Sequence, residues 1–161
     1  MQLICSGIKI DIMKLYDLGF NEWFKQRLNE SSKTEYRLAR ITSVNKGSYL
    51  TRNEDGEVLS ELAGEFIFSA ESKLNYPVVG DWAFVQYYNA NTLAIIHDLF
   101  PRKTILRRKT AGKKVDYQII ASNIDIALIV QSCDFNFNPH RLKRYLVMVS
   151  LLYLVDSICN K

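Results

Sequence analysis

The sequence predicts a small closed β-barrel followed by the first strand and helix of an α/β domain. From Tyr36 to Leu99 the chain consists of short strand-like runs separated by turn residues, with no convincing helix. The nearly continuous apolar run Ile124–Val130 is typical of a strand buried on both faces of a parallel sheet. Asn138 and Pro139 then supply the N-cap and first-position proline of a helix.

The barrel strands are predicted from alternating side chains bounded by turns. The predicted strands are Arg37–Val44, Ser48–Arg52, Glu57–Ala63, Asp81–Tyr88 and Thr92–Leu99. Asp55-Gly56 favours a tight hairpin between the second and third strands, and Phe66-Ile67-Phe68 follows the third. This spacing fits a small closed barrel. An SH3-like barrel would give much the same pattern, so the topology stays open at this point.

Two helices flank the predicted barrel. Asn21 is a suitable N-cap and Glu22 lies in the positive first turn, so a short helix is expected to run to about Leu28. The second helix has one apolar stripe at three- and four-residue spacing, made by Leu142, Tyr145, Leu146, Val149 and Leu152. A single strand–helix unit cannot bury both of its faces, so this stripe is expected to be exposed and to favour aggregation.

Charge is unevenly distributed along the chain. The 161 residues carry 21 Lys and Arg against 17 Asp and Glu, a formal net charge of +4. Seven cations form a basic tract that contains no carboxylate: Arg102, Lys103, Arg107, Arg108, Lys109, Lys113 and Lys114. Such a tract can contact several phosphates of a nucleic acid, although a solvated linker is the alternative. The middle of the chain is acidic by contrast.

The remaining polar residues indicate neither a metal site nor a catalytic site. Cys5, Cys133 and Cys159 form no CxxC or Cys/His cluster, so reduced thiols and a cytoplasmic protein are expected. The opening segment Met1–Ile12 is not expected to be a signal peptide, because Lys9 and Asp11 interrupt its apolar residues, and no apolar run near the C-terminal end is long enough to span a bilayer. His97 is expected to be a hydrogen-bonded structural histidine and His140 a surface residue.

Aromatic residues on one predicted strand are candidates for base stacking. Trp82, Phe84, Tyr87 and Tyr88 share that strand, so alternate members must point outward. Trp82 is expected to fill the barrel interior instead, which makes the basic tract the better candidate for RNA contact. Asp125 interrupts an apolar strand, and a hydrogen-bonded edge position is favoured over a Mg²⁺ ligand.

Seven segments, in this order and spacing, carry a family resemblance. They are Leu18–Phe24, Ala39–Ile41, Tyr76–Trp82, Pro101–Thr104, Arg107–Lys113, Gln118–Asp125 and Phe137–Leu146. Together they resemble the RsgA (YjeQ) family of ribosome-assembly GTPases, over most of the chain.

The resemblance implies a domain plan and a set of partners. It implies an N-terminal extension with a short helix at 1–34, an OB-fold RNA-binding barrel at 35–101, a basic linker at 102–115 and the truncated start of a circularly permuted, P-loop type GTPase domain at 116–161. The implied partners are the small (30S) ribosomal subunit and its 16S rRNA, bound late in maturation, with GTP hydrolysis driving release. A monomer without membrane contact is expected.

The same resemblance also indicates what this chain lacks. In the family the guanine-reading NKxD motif precedes the phosphate loop, and Asn160 and Lys161 could be the first two residues of NKxD. No GxxxxGK[ST] occurs, so nothing in the chain is expected to hold the β- and γ-phosphates. GTP, Mg²⁺ and a structural Zn²⁺ are implied for the full-length family, and no cofactor or GTP hydrolysis is expected for this chain.

Several alternatives remain open from the sequence. The C-terminal end can be a truncation or a frameshift near Val149, and Met13 can be the natural start. The chain can also be one part of a complete GTPase. A stand-alone OB module that binds single-stranded nucleic acid or a protein partner is the alternative function, and the strand–helix tail argues against it.

Overall fold

The computed structural model describes residues 2–5, 8–30, 35–70, 72–89, 91–110 and 117–152. At the N-terminal end β1 (Gln2–Cys5) pairs antiparallel with β2 (Ile8–Asp11), and α1 (Ile12–Asp17) and α2 (Glu22–Glu30) follow. The Asn21 side-chain oxygen accepts from the Trp23 amide at 3.1 Å, so the predicted cap and helix start are confirmed.

Five strands close into a barrel with OB-like connectivity. The barrel elements are β3 (Arg37–Asn45), β4 (Ser48–Asn53), β5 (Gly56–Leu62), α3 (Gly64–Ser69), β6 (Trp82–Tyr88) and β7 (Leu93–Leu99). The strands are ordered β3-β4-β5-β7-β6, and β5 and β7 pair in parallel while the other pairs are antiparallel. A five-stranded barrel with one α-helix, followed by a short 3-10 helix at Lys73–Asn75, between its third and fourth strands confirms the OB prediction.

Helix α3 was not expected from the sequence. Of its apolar residues only Phe66 is buried, while Ile67 and Phe68 are exposed. Six residues with one buried apolar side chain give no helical periodicity, which explains why the sequence pattern did not indicate a helix. The Ala63 amide donates to the Ile96 carbonyl at 2.9 Å and joins the start of α3 to β7.

Apolar residues form two cores on opposite sides of the barrel wall. The barrel interior contains Ala39, Ile41, Tyr49, Ala83, Val85, Ala94 and Ile96. The second core lies between the outer wall and the N-terminal helices and contains Leu15, Phe20, Phe24, Leu38, Trp82, Phe84 and Phe100. Alternate residues of β6 therefore enter different cores, and both faces of its first half are buried.

The second core corrects the prediction for Trp82. Trp82 does not fill the barrel interior, because its fully buried ring lies on the outer wall, 5.0 Å from the ring of Phe20 in an edge-to-face arrangement. Phe84 points the same way and is also covered. Neither ring is available to stack on a base.

A two-stranded antiparallel ribbon follows the barrel. It consists of β8 (Ile105–Lys109) and β9 (Tyr117–Ser122), and Ile105 pairs with Ser122. The five residues of β8 belong to the segment 102–115 that was expected to be a linker, so part of that segment is a strand. We refer to this element as the β8–β9 ribbon.

The tail after the ribbon forms only half of the predicted unit. Helix α4 (Pro139–Ser150) is confirmed, and the Asn138 side chain accepts from the Arg141 amide at 3.0 Å. The predicted strand Ile124–Val130 is wrong: no strand is assigned there, and Leu128 is 86% exposed. A buried parallel strand requires neighbours on both sides, and the described residues provide none. As predicted, the apolar stripe stays unburied along α4. Leu152, the last residue of the stripe, follows the helix and is buried. Within the described ranges, no helix combines the length and apolarity needed to cross a membrane.

Candidate nucleic-acid interface

The basic tract is attached to the barrel through a buried carboxylate. The Asp81 side chain is fully buried and accepts from Arg102 Nε and Nη2, both at 2.7 Å. It also accepts from the Ser122 hydroxyl at 2.5 Å and from the Val78 amide at 2.8 Å. The ion pair and the hydrogen bonds offset the desolvation cost of this buried charge. Removing Arg102 would leave the Asp81 carboxylate buried without its cation.

Arg102 is committed to this junction. Besides its two bonds to Asp81, it donates to the Leu74 carbonyl and the Tyr76 carbonyl, each at 2.8 Å. Four of its five N–H groups are therefore used inside the protein. The structure does not bring Arg102 together with the cations of β8, and the predicted contact of Arg102 with RNA gains no support from this geometry.

Asn123 and Gly80 fit the ribbon against the barrel. Asn123 has a φ of +52°, which Asn tolerates better than most residues, and its side chain donates to the Gly80 carbonyl at 3.0 Å and accepts from the Lys103 amide at 2.8 Å. Gly80 has a φ of +95°, and a Cβ at this position would lie 2.1 Å from the Ser122 carbonyl oxygen. Only glycine allows the barrel and the ribbon to approach so closely.

Arg40 connects the same junction to the N-terminal helices. Its guanidinium donates to the Leu18 carbonyl and, at 3.1 Å, to the Asn123 carbonyl. Burial lowers the pKa of Arg40, and the nearby Asp125 carboxylate opposes that shift. The N-terminal extension, the barrel and the chain after β9 thus meet at one cation.

Most segments that carry the family resemblance converge on this junction. Leu18, Arg40, Gly80-Asp81, Arg102 and Ser122-Asn123 come from five of those segments and contact one another here. Sequence reasoning missed this, because Asp81 and Arg102 are 21 residues apart and nothing local indicates their pairing. The motifs are explained by the architecture of the junction.

The cations of β8 lie on the outside of the ribbon. Arg107, Arg108 and Lys109 are all exposed. Arg107 and Lys109 pair with Ile119 and Tyr117 on one face, and Arg108 pairs with Gln118 on the other. The Arg107 guanidinium carbon lies 4.8 Å from the Tyr117 ring centroid, and Arg108 donates to the Gln118 side-chain oxygen at 3.1 and 3.3 Å.

These residues define a surface suited to phosphates. We call Arg107, Lys109 and Tyr117 on one face of the ribbon, together with Arg108 on its other face, the basic surface. Among the residues that the structure describes, no carboxylate lies within 4.0 Å of its three cations. An arginine beside an exposed tyrosine ring combines a phosphate-binding fork with a stacking face. The basic surface can therefore bind an RNA backbone without first losing an ion pair to a carboxylate of the described residues.

The other predicted site residues either are not part of the basic surface or fall outside the residues that the structure describes. Lys103 is half-buried, and its amide bonds to Asn123. Lys113 and Lys114 fall in 111–116, and Asn160 and Lys161 fall in 153–161, both outside the described residues.

The remaining candidates, His97, His140 and Asp125, are not brought together in the part of the chain that the structure describes. The His97 ring lies 4.6 Å from Tyr36, and its Nε2 is buried with no hydrogen-bond partner among the described residues, so the prediction of a hydrogen-bonded histidine is wrong. His140 is exposed, as predicted. Asp125 is exposed and lies in no strand, so the expected edge position is not formed. Over the described ranges no three His, Cys, Asp or Glu side chains group as a metal site.

Comparisons with known proteins agree on one relationship. The model of the RsgA GTPase family matches residues 99–159. The Small ribosomal subunit biogenesis GTPase RsgA 1 of Bacteroides thetaiotaomicron is 37% identical over 136 residues, which is 83% of this chain and 38% of that protein. The RsgA 1 protein of Oceanobacillus iheyensis is 33% identical over 126 residues, 78% of this chain and 36% of that protein. The chain thus spans under two fifths of these relatives.

One solved structure resembles this chain in fold, at a sequence identity that supports no statement about function. The crystal structure of YjeQ from Thermotoga maritima matches with a TM-score of 0.51 at 18% identity, covering 72% of this chain and 37% of the other.

Proposed function

Because the chain belongs to the RsgA GTPase family, we propose that it is the RNA-anchoring part of a GTPase for small ribosomal subunit biogenesis. In this proposal the chain binds the small subunit late in its maturation and contacts 16S rRNA through the basic surface. The single observation that carries the proposal is the exposed Arg107–Lys109 strand beside Tyr117, with no carboxylate of the described chain within 4.0 Å.

The basic surface is a better RNA site than the outer wall of the barrel. The outward aromatic rings of β6 nearest the junction, Trp82 and Phe84, are covered by the N-terminal helices. The outward side of β5 carries Glu57 and Glu61, which repel phosphates. Electrostatic attraction therefore favours the ribbon, and the junction around Asp81 holds it in a fixed position against the barrel.

The nucleotide chemistry of the family is proposed for longer relatives and not for these 161 residues. The sequence contains no GxxxxGK[ST], and Asn160 and Lys161 would supply at most the first half of NKxD. The residues present thus do not fit GTP with Mg²⁺, and no structural Zn²⁺ site is formed by the described part. We expect no GTP hydrolysis by this polypeptide, and we infer a monomer that acts in the cytoplasm.

A stand-alone OB module that binds single-stranded nucleic acid is the second candidate. It is favoured by one observation: α4 lies beside β8 but none of its residues is buried, so the helix adds little to the core of the barrel and ribbon. This candidate predicts that uridine oligonucleotides bind as tightly as small subunits do.

The test is co-sedimentation with purified small subunits. Charge reversal of Arg107, Arg108 and Lys109 to Glu should abolish binding, because it replaces attraction to phosphates by repulsion. The matched control reverses Lys25 on α2, Lys46 in the β3–β4 turn and Arg52 on β4, an equal change in net charge, and should leave binding in place. Loss of binding in both variants, or in neither, would refute the basic surface as the contact.

A further inference from the structure

The outer wall of the barrel has an uncovered apolar row away from the N-terminal helices. Leu50 on β4 pairs with Leu59 on β5, Leu59 pairs with Leu93 on β7, and Leu93 pairs with Tyr88 on β6. Register partners point to the same side of a sheet, so the four side chains form one line across four strands. We call this line the apolar row.

The apolar row faces outward and is accessible. The residues that alternate with it, Thr51, Ser60 and Ala94, are buried on the opposite side of the wall. Leu59 is 45% exposed and Tyr88 is 40% exposed, while Leu50 and Leu93 are half-buried. A contiguous apolar line of this kind on a barrel wall is typical of a surface for a partner.

The charges beside the apolar row indicate what that partner is. On one side Glu61 pairs with Ile95 of β7, and on the other side Arg52 pairs with Glu57. The Glu57 carboxylate already accepts from the Thr42 hydroxyl at 2.5 Å. Arg40, the register partner of Arg52 on this face, is half-buried and donates to the Leu18 and Asn123 carbonyls. The exposed charges beside the apolar row are therefore two glutamates and one arginine, a negative balance that disfavours a phosphate backbone and favours a cationic ligand.

We propose that the apolar row is a docking site for a protein segment with apolar side chains flanked by lysine or arginine. The apolar side chains of that segment would lie on Leu59, Leu93 and Tyr88, and its cations would face Glu57 and Glu61. This site is separate from the basic surface, so the chain has one face for RNA and one for a basic protein. The proposal does not depend on the proposed function, since the ligand is recognised by different residues.

The test uses the full chain with methyl-labelled leucine and valine, observed by NMR. The probes are a short synthetic peptide that alternates leucine with lysine, the same peptide with glutamate in place of lysine, and a uridine oligonucleotide. The lysine peptide should shift the methyl signals of Leu50, Leu59 and Leu93, and the glutamate peptide should not. Shifts of these methyls by the oligonucleotide, or no shift with the lysine peptide, would overturn the proposal.

Variants separate the apolar and charged contributions. Leu59→Ser with Tyr88→Ser should weaken peptide binding by about tenfold or more, since the anchoring side chains are removed. Val44→Ser is the matched control, because Val44 is 42% exposed but pairs with the inward-facing Tyr49, and it should bind normally. Glu57→Lys with Glu61→Lys should weaken binding without removing apolar surface. Unchanged affinity in either of these test variants would refute the proposed site, and thermal unfolding checks that each variant is folded.

Discussion

Arg102 and Asp81 form a bidentate ion pair, with both N–O distances at 2.7 Å, between the segment after β7 and the turn before β6. The Asp81 side chain is fully buried and Ser122 of β9 donates to it as well. One carboxylate thus joins the barrel, the start of the basic tract and the far end of the β8–β9 ribbon.

Replacing Arg102 by Met should destabilise the chain although Arg102 is not proposed to touch RNA. The substitution leaves the Asp81 carboxylate buried without its cation, a loss of roughly 3–5 kcal/mol for a pair of this kind. Urea unfolding followed by tryptophan fluorescence measures the effect, because Trp82 follows Asp81 directly. Lys25→Gln, which removes an exposed ion pair with Glu22, is the control and should leave the midpoint unchanged. Equal midpoints for both variants would contradict the junction.

Gly80→Ala should be strongly destabilising. The added Cβ would meet the Ser122 carbonyl oxygen at 2.1 Å, and the φ of +95° is strained for alanine, so a loss of roughly 2 kcal/mol or more is expected. Gly64→Ala is the matched control, since its Cβ would meet nothing within 4 Å and lies in α3. Calorimetry should show a lower Tm for the first variant and an unchanged or higher Tm for the second. A tolerated Gly80→Ala would mean that the ribbon does not approach the barrel this closely.

Tyr87 should make stability fall at alkaline pH. Burial raises the pKa of Tyr87 to about 12, with Glu54 and Asp55 adding to the shift and Arg37 opposing it. In the unfolded chain the pKa of Tyr87 is its ordinary value of 10.0, so the stabilising contribution is complete below that pH and is lost as pH rises to about 12. Tyr87→Phe removes a buried hydroxyl that has no hydrogen-bond partner among the described residues.

The measurement is the free energy of unfolding of both proteins at a series of pH values from neutral upward. Tyr87→Phe should match or exceed the parent near neutral pH, because no hydrogen bond is lost with the hydroxyl. It should also lose less stability than the parent above pH 10. A parallel decline in both proteins would show that Tyr87 is not the group responsible.

The exposed apolar residues after the ribbon should make the monomer prone to aggregation. Ile126, Leu128 and Val130 are 77%, 86% and 89% exposed. Changing all three to Ser should lower the light scattering and the fluorescence of a bound hydrophobic dye, with no change in the Tm of the barrel, because none of them belongs to either core. Ile96→Ser, inside the barrel, should instead unfold it. A lower Tm in the triple variant would show that this segment contributes to folding.

The sequence predicted what local patterns determine. The barrel strands, the Asn21 cap and the start of α4 follow from alternation and capping within a few residues, and they are confirmed. The side of the wall on which Trp82 lies depends on the N-terminal helices, and the role of Arg102 depends on a partner 21 residues away. The strand expected at Ile124–Val130 depends on neighbours that the described residues do not include. These three misses concern long-range contacts, whereas α3 was missed because its six residues show no helical periodicity.

The contribution of the basic surface to RNA binding is tested most directly by the salt dependence of the affinity for purified small subunits. The slope of log affinity against log salt concentration counts the phosphates that are neutralised, roughly 0.7–0.9 per contact. Arg107→Gln should reduce the slope by about that amount for one contact. Arg52→Gln on β4, an exposed cation of the barrel wall, should leave it unchanged. A slope near zero for the parent chain, or an unaltered slope in Arg107→Gln, would contradict the assignment of RNA binding to this surface.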